Sequence, residues 1–382
     1  MHTMQKIQMV DLVSQYHGIK QEVDAAVQRV MESAAFIKGP EVQFFQEELQ
    51  NYLDVKHVIP CANGTDALQM ALMALGLKPG DEVITANFTF AATVEVIHLL
   101  GLKSVLIDVD RETFNLDVEH LKSAITPNTK AIIPVHLYGQ CANMEDIMMI
   151  AQENKLFVVE DTAQAIGATY QFSNGKVLKA GTIGDIGTTS FFPSKNLGCM
   201  GDGGAMFTNN DDLAHRLAAI SNHGMWKRYY HDEVGVNSRL DSIQAAVLRV
   251  KLKRLDQYNG ARRKAADYYT ERLNSIEGIE TPFINKKSSH VFHQYTLKLA
   301  SNIDRNGLQD YLKSKDIPSM IYYPLPLHQQ KAYKDSSKND EDFPVTMELI
   351  ESVISLPMHT ELKKEQQDYI IESIVEYINF NK

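Results

Sequence analysis

Between about residues 57 and 210, short apolar runs alternate with segments whose apolar positions recur at helical spacing. Residues 57–61, 82–85, 104–108, 131–135 and 157–160 read as strands, and 65–75, 91–100, 118–125 and 144–153 as helices. That rhythm predicts a parallel sheet with crossover helices. Two further strands, 186–192 and 204–208, flank a glycine-rich loop. Downstream, residues 239–276 read as one long helix, apolar at Leu240, Ile243, Ala246, Val247, Val250 and Leu255, with Gly260 as its weak point. The rest mixes strands (294–299, 319–323, 353–356) with helices (306–315, 364–380), as expected of a second, smaller domain. A helix pair at 20–32 and 42–52 precedes the sheet and is expected to pack on it. The division is 1–258 for the large part with its leading helices and 259–382 for the small one.

Composition agrees with two domains and excludes several functions. The chain has 382 residues, 44% of them hydrophobic. No apolar run approaches the ~20 residues of a membrane span, and the amino-terminal stretch lacks a signal-like apolar core, so a cytoplasmic protein is expected. Cys61, Cys141 and Cys199 are scattered and odd in number, which fits reduced thiols rather than disulfides or a metal cluster. A net charge of −10 argues against nucleic-acid binding.

The chemistry concentrates around one lysine. In Ser190-Phe-Phe-Pro-Ser-Lys195-Asn-Leu-Gly-Cys-Met-Gly-Asp-Gly-Gly204 it lies between a strand end and four glycines in seven residues. A lone lysine beside a turn is ordinarily a surface residue. Upstream, however, Phe157-Val-Val-Glu160-Asp161 runs a buried strand into a carboxylate, at the strand end where open α/β sheets bind ligands. Taken alone, Asp161 could be a helix N-cap. A lysine paired with such an acid suits pyridoxal phosphate, whose aldehyde needs an amine and whose ring nitrogen needs an acid to hold it protonated. Asn63-Gly64-Thr65-Asp66 is a candidate phosphate cradle at a helix start, although the same residues also make a plain turn and cap. Phe88 and Phe90 follow the next strand, where a flat ring could stack, although core packing is the commoner use of phenylalanine.

In combination, Asn63-Gly64-Thr65-Asp66-Ala67, Thr89-Phe90, Glu160-Asp161-Thr-Ala-Gln164, Ser190-Phe-Phe-Pro-Ser-Lys195-Asn and Gly235-Val-Asn237-Ser-Arg239-Leu resemble the DegT-type nucleotide-sugar aminotransferases, over nearly the whole chain. The resemblance implies an α/β fold of the type I pyridoxal phosphate transferases, with a mostly parallel central sheet, helices on both faces and a smaller C-terminal α/β domain. It implies that Lys195 forms the Schiff base and carries the proton, that Asp161 pairs with the pyridinium nitrogen, that Gln164 bonds the ring hydroxyl and that Phe90 stacks on the ring. Gly64, Thr65, Asp66 and Ser190 would surround the phosphate. Asn237 would reach the neighbouring subunit's cofactor, making the unit a homodimer.

The implied reaction passes an amine from L-glutamate to a keto nucleotide sugar. The loop most resembles that of C3 aminotransferases acting on UDP-2-acetamido-2-deoxy-3-keto-hexuluronic acid, for bacterial surface polysaccharides. Arg239 would then meet the sugar carboxylate, or else make an ordinary salt bridge, and Tyr323 and His328 would line the sugar site unless His328 is merely a surface histidine. Residues 223–233, rich in aromatic and basic groups, are expected to form a substrate loop. Met200 departs from the aromatic that close relatives carry. The alternatives are C3 or C4 amination of a dTDP-, UDP- or GDP-keto-deoxyhexose, a sugar dehydratase, in which a histidine replaces the lysine, a cysteine desulfurase, and a ligand-binding regulator without catalysis.

Overall fold

The computed structural model describes residues 6–334 and 337–380. The amino-terminal stretch read above as lacking a leader lies mostly outside them. The strands are β1 His57–Cys61, β2 Glu82–Ala86, β3 Lys103–Ile107, β4 Thr129–Ile133, β5 Phe157–Asp161, β6 Thr169–Gln171, β7 Val177–Lys179, β8 Ile186–Ser190, β9 Gly204–Thr208, β10 Met225–Lys227, β11 Tyr230–His231, β12 Ile279–Glu280, β13 Tyr295–Leu299 and β14 Val353–Leu356. The helices are α1 Leu12–Ser33, α2 Pro40–Leu53, α3 Gly64–Ala74, α4 Ala92–Leu99, α5 Val118–Ala124, α6 Met144–Asn154, α7 Asp211–Ile220, α8 Ser242–Leu252, α9 Leu255–Leu273, α10 Arg305–Ser314, α11 Pro344–Ser352 and α12 Lys364–Phe380.

Seven strands form the main sheet in the order β1-β9-β8-β5-β4-β2-β3. All run parallel except β9, which is antiparallel to both neighbours. Successive residues of a strand face opposite sides, and both sides are apolar. Val83, Ala131, Ile133 and Val159 pack with α3, α4 and α7, whereas their chain neighbours Ile84, Ile132 and Val158 pack with α5 and α6. The sheet is therefore buried between two helical layers. A further core joins α2 and α8 to the underside of the lysine loop through Phe45, Leu49, Phe191, Leu197 and Leu248. Phe45 and Phe191 meet edge to face at 5.5 Å, a contact of about 0.5–1.5 kcal/mol beyond area burial. A separate cluster gathers α9, α10, α12 and the three-stranded sheet β12-β13-β14. Among the described residues no helix is long and apolar enough to cross a membrane.

Four expectations need correction. The single helix read over 239–276 is two, α8 and α9, and the break falls at Lys253–Arg254. The Asp241 side chain accepts from Gln244 N and starts α8, so Arg239 lies before the helix. Arg254 Nη1 donates to Val250 O and helps close the first helix, while Gly260 sits inside α9, where an added Cβ would meet only Arg263 Nη2, at 3.9 Å. Residues 319–323 do not form a strand and make only an isolated bridge, Met320 to Ser355. Pro318 and Pro324 flank them, and neither can donate to a ladder. The strand read over 186–192 ends at Ser190, and α1 begins at Leu12, well before residue 20, because Asp11 caps it through Ser14 N.

Candidate active site

Parallel strands deliver their carboxyl ends to one edge of the sheet, and the candidate residues collect there. Asp161 closes β5 with its backbone paired on one side, N donating to Pro134 O (2.9 Å) and O accepting from His136 N (3.0 Å). Its side chain is only 7% exposed and is held by Thr93 Oγ1 at 3.1 Å and by Ala163 N at 3.1 Å. No helix follows, so the carboxylate is not an N-cap. Burial pushes its pKa up, while the Ala163 N–H and the charge of Lys195 pull the other way.

Glu160, one residue earlier on the strand, faces the other side and does different work. It is wholly buried and accepts from His136 Nε2 (2.9 Å) and from the backbone N–H groups of Gly181 (3.0 Å), Ile183 (2.7 Å) and Gly184 (2.7 Å). His136 Nδ1 in turn accepts from Ala142 N at 3.0 Å. This network fixes the end of β5 and with it the aim of Asp161.

Lys195 sits in the return from β8 to β9. The return is pinned by Phe191 N to Gly203 O (2.7 Å), Cys199 N to Phe191 O (2.8 Å) and Lys195 N to Phe192 O (2.8 Å). The lysine is half-buried, and desolvation lowers its pKa to about 8 against the opposing pull of Asp161. Such an amine is far more often neutral at pH 7–8 than an ordinary lysine, as a nucleophile requires.

The cradle beside it is tight. Asn63 Oδ1 accepts from Asp66 N (2.8 Å) and caps α3, on whose first turn lie Gly64, Thr65 and Asp66. A Cβ on Gly64 would stand 2.6 Å from Ser190 Cβ, so glycine here lets α3 approach the end of β8. Ser190 Oγ accepts from Phe192 N at 3.2 Å.

Gln164 joins the opposite wall. Its Oε1 accepts from Tyr138 N (2.7 Å) and its Nε2 donates to Tyr323 OH (3.2 Å). Tyr323 lies edge-on to Phe88 at 5.9 Å and tilted to Phe90 at 6.4 Å, and burial raises its hydroxyl pKa. Phe88 is buried, whereas Phe90 is 59% exposed.

The structure therefore brings Asp161, Lys195, Gln164, Phe90, Tyr323, Gly64, Thr65, Asp66 and Ser190 to one end of the sheet. Asn237 is exposed and bridges Asn222, and next to it Ser238 Oγ accepts from Ala62 N at 3.1 Å, tying this segment to the cradle. Arg239 Nη1 reaches Asn222 Oδ1 at 3.4 Å.

His328 is not a surface residue. It is 4% exposed, with Nδ1 on Asn87 Nδ2 (2.8 Å) and Nε2 on Asp340 Oδ1 (2.8 Å). Both ring nitrogens are taken, so it braces the 324–330 loop and offers no hydrogen bond to a sugar. Residues 223–233 carry the hairpin β10-β11. Sequence reading passed over Thr93, Tyr138, His136 and the buried His293, whose pKa is lowered by desolvation and next by Lys195. Each of these acts through a partner distant in sequence, and no local pattern marks it.

The site fits pyridoxal phosphate on its own geometry. A buried acid raised by desolvation gains from a pyridinium partner, a lysine of lowered pKa lies within reach of its charge, and a glycine-backed helix start turns its first-turn backbone toward a phosphate. The buried Thr89 Oγ1, just before Phe90, has no partner among the described residues.

Fold and site together define a pyridoxal phosphate enzyme of fold type I that works as a nucleotide-sugar transaminase. Residues 17–375 match the DegT/DnrJ/EryC1/StrS aminotransferase family, and the chain belongs to it. It is 46% identical to a Pseudomonas aeruginosa UDP-2-acetamido-2-deoxy-3-oxo-D-glucuronate aminotransferase over 92% of this chain and 95% of that one. It is also 46% identical to a "pleiotropic regulatory protein" of Geobacillus stearothermophilus over 97% and 98% of the two chains. Among solved structures, NtdA from Bacillus subtilis with bound cofactor PMP superposes with a TM-score of 0.89 at 31% identity, covering 99% of this chain and 86% of that one.

Proposed function

We propose that this chain transfers the amino group of L-glutamate to C3 of a UDP-linked 2-acetamido-3-keto uronic sugar, in the cytoplasm and for a bacterial surface polysaccharide. The observation that carries this reading is the near full-length similarity to the Pseudomonas 3-oxo-glucuronate enzyme, combined with an arginine, Arg239, that meets no carboxylate of its own chain among the described residues. The pairing of Lys195 with the buried Asp161 suits an aldehyde cofactor and favours an enzyme over a purely regulatory protein.

Bound pyridoxal phosphate supplies an electron sink to the substrate carbon. Lys195 would hold the cofactor through its amine and, when neutral, would take and return the proton at the reacting carbon. Asp161 would hold the charge on the ring nitrogen, with Thr93 and Ala163 N keeping its oxygens in place. Gln164 would bond the ring hydroxyl, and Phe90 would stack on the ring. Gly64, Thr65, Asp66 and Ser190 would hold the phosphate. Tyr323 borders the sugar, and Arg239 receives its carboxylate bidentately.

Asn237 completes the site of a second copy, which makes the working unit a homodimer. Phe36, Ile37, Phe192, Met200, Trp226, Tyr229, Tyr230 and Val234 support this, being large apolar or aromatic side chains left exposed on the single chain. The division at residues 258 and 259 is supported by the separate core around β12-β13-β14.

The lowered lysine gives a pH signature. Attachment of added cofactor to the cofactor-free protein should speed up as pH rises, as Lys195 loses its proton near 8, and then level off. An ordinary lysine would keep accelerating beyond pH 10. Stopped-flow absorbance across pH 6.5–10.5 checks this.

Substrate choice is tested by supplying glutamate with 3-keto and 4-keto nucleotide sugars and measuring 2-oxoglutarate. The 3-keto uronate should give the highest kcat/KM, and faster turnover of a 4-keto sugar overturns the assignment to C3.

A further inference from the structure

Near Arg239 stands a second cation, Lys38, that meets no carboxylate among the described residues. The protein is acid-rich, with 48 Asp and Glu against 38 Lys and Arg. It satisfies its other part-covered arginines internally. Arg216 pairs with Glu233 (2.9 Å), Arg249 with Glu41 (2.7 Å) and Glu48 (2.6 Å), and Arg254 with Glu22. The buried Arg262 and Arg305 donate to backbone carbonyls. Among the described residues Lys38 and Arg239 meet no carboxylate, and Lys38 lies close enough to Arg239 to feel its charge.

The backbone enforces this proximity. Ile37 pairs antiparallel with Asp241, Ser242 N donates to Phe36 O (2.9 Å), and Gly39 N donates to Ser242 Oγ (3.3 Å). The connection between α1 and α2 is thereby bound to the segment that follows Asn237-Ser-Arg239. Gly39 admits no side chain, because a Cβ there would stand 2.3 Å from Ala35 O. Lys38 itself takes a left-handed backbone, φ 53°, which costs a residue with a side chain about 1–2 kcal/mol. A cation on this strained turn within reach of a second cation is unfavourable until an anion lies near both. Burial, and after it the charge of Arg239, lowers the Lys38 ammonium.

We propose that Lys38 and Arg239 form a two-cation subsite for an oxyanion of the nucleotide sugar, either its uronate carboxylate or its diphosphate. Arg239 supplies the planar fork and Lys38 the point charge. This assignment rests on the function proposed above and identifies the residue that sets affinity for the charged acceptor.

The test uses the dimeric holoenzyme, with Lys38→Met and Lys38→Arg compared on two acceptors. One is the UDP-linked 3-keto uronate, and the other is its 3-keto counterpart with a neutral hydroxymethyl at C5. Lys38→Met should raise KM for the uronate ~10–100-fold, the loss of one charge-assisted contact. The kcat and the half-reaction with glutamate should stay near wild type, and Lys38→Arg should recover most of the affinity. A rise confined to the uronate identifies the carboxylate as the anion, and an equal rise on both identifies the diphosphate. Unchanged KM on both acceptors, or a defect confined to the glutamate half-reaction, overturns the subsite. Wild-type enzyme that reacts with glutamate but accepts neither sugar overturns the functional reading itself and the subsite with it.

Discussion

Lys195→Ala is expected to lower transamination by at least ~10⁴-fold, because one substitution removes both the attachment point of the cofactor and the base at the reacting carbon. The visible band of covalently held cofactor should vanish, while the cofactor still binds through Asp161 and the cradle at Gly64, Thr65 and Ser190. Lys195→Arg separates the roles of charge and nucleophile. Its guanidinium keeps a positive charge opposite Asp161 but stays protonated at any working pH, so it should be as inactive as alanine. Absorbance spectra and single-turnover rates with glutamate provide the measurement. A mutant that kept the wild-type spectrum would remove Lys195 from the mechanism.

Asp161→Asn is expected to reduce turnover by roughly 10²–10⁴-fold, since the amide can fill the same space between Thr93 and Ala163 but cannot hold a charge on the ring nitrogen. Its effect on stability should run the other way. Burial raises the Asp161 pKa above its unfolded value, so the stability this group contributes is present below the unfolded pKa and lost as pH rises through the folded one. Above the folded pKa the buried carboxylate is therefore a cost to the cofactor-free chain. The variant without cofactor should melt at the same temperature as wild type or higher, and cofactor should stabilise it less. Calorimetry with and without cofactor reads both quantities. Near wild-type turnover in Asp161→Asn would show that the ring nitrogen needs no acid here.

Much of this site was legible in the sequence because its chemistry is carried by residue types in a fixed order along strand ends. A buried strand ending in an acid, and a lysine in a glycine-rich return, are local patterns, and β1, β9 and α12 end close to where periodicity placed them. The parts that were not legible depend on distant partners. Thr93 matters because α4 packs over the end of β5, and His328 is buried because Asn87 and Asp340 close on it from opposite sides in sequence. The break between α8 and α9 leaves little trace in the apolar spacing, which carries across Lys253 and Arg254. Residues 319–323 look like a strand by composition, yet prolines on either side deny them a ladder.

The return between β8 and β9 consists of two nested rings. The outer one is shut where Ser190 pairs with Gly204, and the inner one where Cys199 N meets Phe191 O. Lys195 rides on the inner ring, which is inflexible in length, for a Cβ on Gly198 would already stand 2.3 Å from Pro193 O. Residues 200–203, including the exposed Met200, belong only to the outer ring. An engineer exchanging substrate preference between relatives thus has a natural splice point: grafts confined to 200–203 leave the reactive amine registered on the sheet, whereas those cut at 192–199 carry it away.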